Sequence, residues 1–198
     1  MNTRLVSMVF AAFLLSWSAV PFAGEFEDGL AAYNRRDYKT AFAMFTKAAN
    51  KGEAGAQTLL GFMYAEGQSV PQDYNHAVSW YRKAADQGDA VAQHNLGWAY
   101  ANGRGVAQDY NQALSWFRKA ADQGFAGAQF NLGFMYEYGQ GVTQDYVEAH
   151  KCYNLAAPYS TNKEVRDMAT ESRDVVAKKM TPAQIAEAQK RASEWKKK

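Results

Sequence analysis

Between residues 90 and 102, the apolar residues Ala92, Leu96, Ala99 and Tyr100 stand at i, i+4, i+7 and i+8. That spacing is the stripe of a half-buried α-helix and predicts one from about Ala90 to Asn102. Asp89 stands where an N-cap is needed, its carboxylate able to accept from a free backbone N–H. "NGRGV" ends the helix, with two glycines able to take positive φ. A second stripe follows: Tyr110, Ala113, Leu114, Phe117, Ala120 and Ala121 fall on one helical face. Asp109 opens it, and Gln112 three residues on gives capping-box spacing. Gly124 sits after the last turn, where a left-handed C-cap is expected.

This two-helix pattern recurs. "SWYRKAADQGDAVAQ" at 79–93 and "SWFRKAADQGFAGAQ" at 115–129 match at twelve of fifteen positions, thirty-six residues apart. Tyr38, Tyr74, Tyr110 and Tyr146 keep that step, as do Ala41, Ala77, Ala113 and Ala149. Leu60-Gly61, Leu96-Gly97 and Leu132-Gly133 follow it too. A mid-helix glycine costs about 1 kcal/mol relative to alanine. Its return at 61, 97 and 133 predicts that a large Tyr or Trp of a neighbouring helix lies against the bare backbone. One helix pair cannot bury its own stripe, whereas stacked pairs bury a continuous core. The pattern therefore predicts an all-α solenoid with a period of 36 residues.

The residues quoted resemble a known family. "AVAQHNLGWAYANGRGVAQDYNQALSWFRKAADQG", residues 90–124, is similar to a Sel-one-like repeat, an α/α relative of the tetratricopeptide repeat. The resemblance is carried by A-x-A-Q, L-G-x-x-Y, G-x-G-V-x-Q-D-Y and the later A, W-Y/F and A-A positions. It covers units at 53–88, 89–124 and 125–158, with 24–52 as a degenerate first helix pair. It implies a right-handed α/α solenoid and a non-catalytic scaffold or adaptor that binds proteins, as in regulators and envelope assemblies of bacteria. Residues 159–198 depart from the pattern and read as two polar capping helices with a basic tail. Thr181 and Pro182 form an N-cap and N1 pair for the last of them.

The N-terminus changes the setting. Arg4 precedes an apolar run, and "AVPFAG" resembles a processing site, so residues 1–23 read as a secretory signal peptide. The competing reading is a retained membrane anchor, for which the run is short. No cysteine follows the run, so a lipid anchor is not indicated. The expectation is a periplasmic or secreted chain without stable membrane insertion after signal removal.

Composition narrows the function. There are 22 Lys and Arg against 20 Asp and Glu, a net charge of +2, or +1 once Arg4 is lost. That balance argues against a nucleic-acid binder. A single cysteine, Cys152, cannot form an intramolecular disulfide. It stands where the sister units carry Trp80 and Trp116, so it is expected to fill core space. His76, His94 and His150 share no metal-ligand spacing, and no Cys or carboxylate cluster completes a site. "GRG" and "GQG" lack the preceding strand and the Lys-Ser/Thr of a phosphate loop. No catalytic residue, metal or cofactor is assigned. Cysteine-rich members of the resembled family act on β-lactams through disulfide-linked helix pairs, and this chain lacks those cysteines. The alternative to a scaffold is an exported enzyme or subunit whose site is shared with a partner chain. Surface attachment through the basic tail is a third reading. The pairs Arg82/Asp86 and Arg118/Asp122, four apart, read as solvated surface.

A binding face should lie where the units differ. In the resembled family the concave face is lined by the first helix of each unit. The outward positions are Thr58, Phe62, Ala65 and Glu66, then His94, Trp98, Ala101 and Asn102, then Phe130, Phe134, Glu137 and Tyr138. Phe62, Trp98 and Phe134 form an aromatic row suited to anchoring a protein or peptide partner, or a second copy of the chain. The competing reading is that the row packs between units.

Overall fold

The computed structural model describes residues 24–160 and 162–197, apart from the Tyr159 side chain. The proposed signal segment 1–23 lies outside them. The described residues form α1 (Glu25–Asn34), α2 (Tyr38–Asn50), α3 (Ala54–Glu66), α4 (Tyr74–Asp86), α5 (Ala90–Asn102), α6 (Tyr110–Asp122), α7 (Ala126–Tyr138), α8 (Tyr146–Tyr159), α9 (Lys163–Ala177) and α10 (Pro182–Glu194). From α1 to α8, odd and even helices pair into four hairpins, and each hairpin packs on the next to make a right-handed α/α solenoid.

The local signals act as the sequence indicates. Asp89 accepts from the Ala92 N–H at 2.7 Å, and Asp109 accepts from Asn111 and Gln112. Gly103 ends α5 at φ 65°, and Gly105, at φ 71°, brings its turn against the previous hairpin. A Cβ on Gly105 would sit 2.2 Å from the Tyr74 carbonyl oxygen, so only glycine fits there. Thr181 and Gln184 make a complete capping box for α10.

The recurrent glycines lie where rings approach. Ideal Cβ atoms on Gly61, Gly97 and Gly133 would stand 2.8, 2.8 and 2.7 Å from Tyr81, Phe117 and Tyr153. Each ring belongs to the second helix of the same hairpin. The tryptophans, by contrast, pack back toward the preceding unit, Trp80 against the Phe45–Leu60 cluster and Trp116 against the Tyr81–Leu96 cluster. Cys152 occupies the equivalent position in the Leu114–Phe117 cluster, and burial pushes its thiol up to about 12.

The same contact appears in the first hairpin. A Cβ on Gly29 would lie 2.6 Å from Phe45. The spacing there is shorter because three residues join α1 to α2, against seven in each later hairpin. Removing those four residues from the frame aligns Phe26, Leu30 and Asn34 with Thr58, Phe62 and Glu66.

Between units, a glutamine ladder ties the layers. Gln57, Gln93 and Gln129 donate to the carbonyls of Ala49, Ala85 and Ala121. Gln87 and Gln123 in turn donate to Gln57 and Gln93. Among the described residues the ladder stops at Gln129, whose Oε1 is buried without a partner. Arg82 and Arg118 also bridge layers. They donate to the hydroxyls of Tyr100 and Tyr136 on the following helix, a use their i+4 spacing to Asp did not suggest.

Past the last repeat, α9 and α10 both pack principally on α8, and α9 also touches α7. Among the described residues no helix is long and apolar enough to cross a membrane.

Candidate functional site

The twelve outward positions separate into two sets, with Ala65 and Ala101 among the buried ones. Thr58, His94 and Phe130 are buried, at 5%, 0% and 2% exposure. Thr58 and His94 do not face an open groove, and Phe130 lines a cleft with almost none of its surface exposed. Every third or fourth residue along the first helix of each pair points the same way, but the adjacent unit covers this row. Thr58 donates to the Asp89 carboxylate at the start of α5, at 3.1 Å. His94 joins α5 to α7: the Asn131 amide donates to its Nε2 at 3.0 Å, and Nδ1 stands 3.3 Å from Asn95 Oδ1. Its ring also packs against Phe117 and Phe125. This dry setting lowers the imidazole pKa to about 4, with desolvation the main cause. Phe130 packs on Tyr153 with ring centroids 5.4 Å apart.

Glu137 is buried as well, where the sister units carry Ala65 and Ala101. Both its carboxylate oxygens are engaged. The Tyr153 hydroxyl donates to Oε2 at 3.0 Å, and Lys179 Nζ donates to Oε1 at 3.0 Å. It is therefore the tie between the last hairpin and the turn joining α9 to α10. Its charge also holds the Lys179 ammonium pKa above its ordinary value.

The remaining positions stay at the surface. Phe62, Trp98, Asn102 and Phe134 are half-buried, and Glu66 and Tyr138 are exposed. Trp98 packs its ring beside the α5–α8 core, and Asn102 donates back to the Trp98 carbonyl at 2.8 Å. With the first hairpin in register, the row gains a member: half-buried Leu30 stands where Phe62, Trp98 and Phe134 stand. The glycine–aromatic pair Gly29/Phe45 was the signal that would have placed it.

At its C-terminal end the row runs into a cleft. Phe130, Phe134, Glu137 and Tyr138 of α7 face Met168, Glu171, Ser172 and Val175 of α9 across a volume of about 130 Å³. Phe134 and Tyr138 pack in a tilted arrangement, 4.5 Å between centroids and 41° between planes. Tyr138 at 56% and Val175 at 42% are the large hydrophobic residues that stand out to solvent among those described. The α9 half of this cleft lay outside the repeat frame, so periodicity could not find it. Among the described residues no group of three or more His, Cys, Asp or Glu side chains is placed to hold a metal ion.

The Sel1 repeat model matches residues 25–53, 54–89, 90–125 and 126–157, the first hairpin included. The chain belongs to the Sel1 repeat family. Proteins built from these repeats are generally protein-interaction scaffolds. The fold is similar to that of a protective antigen present in uropathogenic Escherichia coli strains, which displays an SLR fold. Identity there is 29% and the TM-score 0.60, over 86% of this chain and 44% of the antigen. The chain thus spans less than half the length of that relative. A Sel1 repeat protein from Oxalobacter formigenes is similar at 29% identity and TM-score 0.64, covering 83% of this chain and 73% of that one. No curated protein matches the chain significantly.

Proposed function

We propose that this Sel1 repeat chain is a non-catalytic adaptor of the bacterial cell envelope. It captures a protein partner along the face formed by α1, α3, α5 and α7. The observation that carries this reading is the unbroken apolar row Leu30, Phe62, Trp98 and Phe134, half-open along the stack and ending at exposed Tyr138. Aromatic side chains supply large contact area with few torsions to freeze, which suits them to anchoring a partner. The rest of the frame is occupied by packing, capping and the glutamine ladder, which leaves this row for recognition. The basic-then-apolar stretch of residues 1–23 supports export.

A photo-crosslinking residue placed at Glu66, beside the row, should give a discrete adduct in envelope extract. The same residue at exposed Ser79, on the second-helix side, should not. Equal adducts from both positions, or one from Ser79 alone, would overturn the assignment of the face. For export, the tagged full-length chain should be released by osmotic shock; retention in the cytoplasm would remove the envelope part of the proposal.

A further inference from the structure

The cleft between α7 and α9 has a chemistry of its own, separate from the row that leads to it. Its walls are apolar: Phe130, Phe134, Met168, Val175 and the ring of Tyr138. Two carboxylates line it and no cation does. They are not equivalent. Glu137 lies at the bottom with both oxygens taken by Tyr153 and Lys179. Glu171 is exposed on α9 and makes no ion pair among the described residues. Lys179 is committed to Glu137, and Arg173 to Asp174. An apolar slot with one free negative charge at its rim is complementary to an apolar side chain next to a positive one. A volume of about 130 Å³ is close to the roughly 150 Å³ apolar cavity that accommodates a benzene ring. One bulky side chain is the matching load.

We infer that this cleft is the anchor subsite of the adaptor face. It takes a bulky apolar side chain of a partner segment whose neighbouring Lys or Arg pairs with Glu171. The inference rests on the adaptor reading and gives its partner a chemistry: a basic, amphipathic segment. Glu66, exposed at the end of α3, adds a second negative charge along the same face. The tilted Phe134–Tyr138 pair forms the wall on which the apolar side chain lies.

The test uses the full chain without its first 23 residues and two short amidated peptides. One has leucine and phenylalanine flanked by lysines, and the other carries glutamates in place of the lysines. In a nitrogen-15 NMR titration, the lysine peptide should shift the amides of residues 134, 138, 168, 171 and 175. It should bind about fivefold more tightly than the glutamate peptide, the size of one partly exposed ion pair. Glu171→Lys should reverse that order, and Tyr138→Ala should weaken both peptides. Both substitutions are at exposed positions, so the fold is expected to survive. Shifts confined to other faces, or a ranking unchanged by Glu171→Lys, would overturn the inference. So would sedimentation showing a dimer that buries these residues, since a second copy would then be the occupant. A Glu66 adduct with no peptide discrimination leaves the adaptor reading standing and removes only the cleft assignment. Discrimination without an adduct does the converse.

Discussion

Phe117 lies flat against the backbone of Gly97: a Cβ there would meet its Cδ1 at 2.8 Å and its Cε1 at 2.9 Å. Phe117 is fully buried, so the ring has no free space to move into. Gly97→Ala gains about 1 kcal/mol of helix propensity and loses roughly 1–3 kcal/mol to overpacking. The clash should win, lowering stability by up to about 2 kcal/mol, and Gly97→Leu should cost more. Pairing Gly97→Ala with Phe117→Leu should recover part of the loss. Urea unfolding of the four proteins checks this; an unchanged midpoint for Gly97→Ala would mean the ring is not fixed.

A second prediction concerns pH. His94 has a pKa of about 4 in the folded chain, against about 6.5 when unfolded. Between those values the unfolded chain binds the extra proton. Stability should therefore be constant above about pH 6.5 and fall as the pH drops toward 4, by at most ~1.4 kcal/mol per unit. Burial lowers the His150 pKa in the same direction, so it adds to the effect. Most carboxylates titrate below this window, so pH 6.5 to 5 isolates the histidines. His94→Gln should flatten the slope there, measured as unfolding free energy at half-unit steps. An unaltered slope would show that His94 protonates without breaking the α5–α7 seam.

A third prediction addresses the cap. Glu137 accepts from Tyr153 and pairs with Lys179, and Tyr153 is fully buried. Glu137→Ala leaves a buried hydroxyl without its acceptor, at a cost of about 1–3 kcal/mol. Glu137→Gln keeps an acceptor and should cost less. Lys179→Ala leaves the buried Glu137 carboxylate without its cation and should cost more than Glu137→Gln. Hydrogen exchange should rise first in α9 and α10, because this tie holds their junction to α7. A uniform rise across all hairpins would argue against a local role.

These cases show what could be read from the chain. The thirty-six-residue step aligned Gly61, Gly97 and Gly133, and that alignment alone was enough to infer a ring against each. Asp89 and Asp109 were legible because a cap is a local arrangement of three or four residues. Coverage by a neighbouring unit is not local. Nothing at position 94 distinguishes a groove-facing histidine from one sealed beneath the next helix, since both lie on the same helical stripe. Glu137 misled for the opposite reason: a carboxylate is ordinarily exposed, and its two partners come from 16 and 42 residues away. Leu30 was hidden by a turn four residues short. The α9 wall of the cleft was hidden because it does not repeat.

The last prediction separates frame from site using two aromatic residues one turn apart on the stripe. Phe130 is 2% exposed and packs on Tyr153. Phe134 is half-buried and packs at a tilt against Tyr138 at the mouth of the cleft. Phe130→Ala removes an almost fully buried ring that packs on Tyr153 beneath the cleft and should cost about 3–5 kcal/mol. Phe134→Ala opens onto a cleft that water already enters, so its cost should be smaller, roughly 1–2 kcal/mol. Binding should rank the other way. Under conditions where both variants remain folded, Phe134→Ala should abolish the Glu66 photo-adduct, and Phe130→Ala, which removes a wall residue only 2% exposed, should reduce it less. Trp98→Ala should behave like Phe134→Ala, with a smaller loss of stability than of capture. Melting curves and adduct yields on the same three proteins decide the matter. If Phe134→Ala and Trp98→Ala destabilise as much as Phe130→Ala while capture persists, the row is core and the adaptor face lies elsewhere.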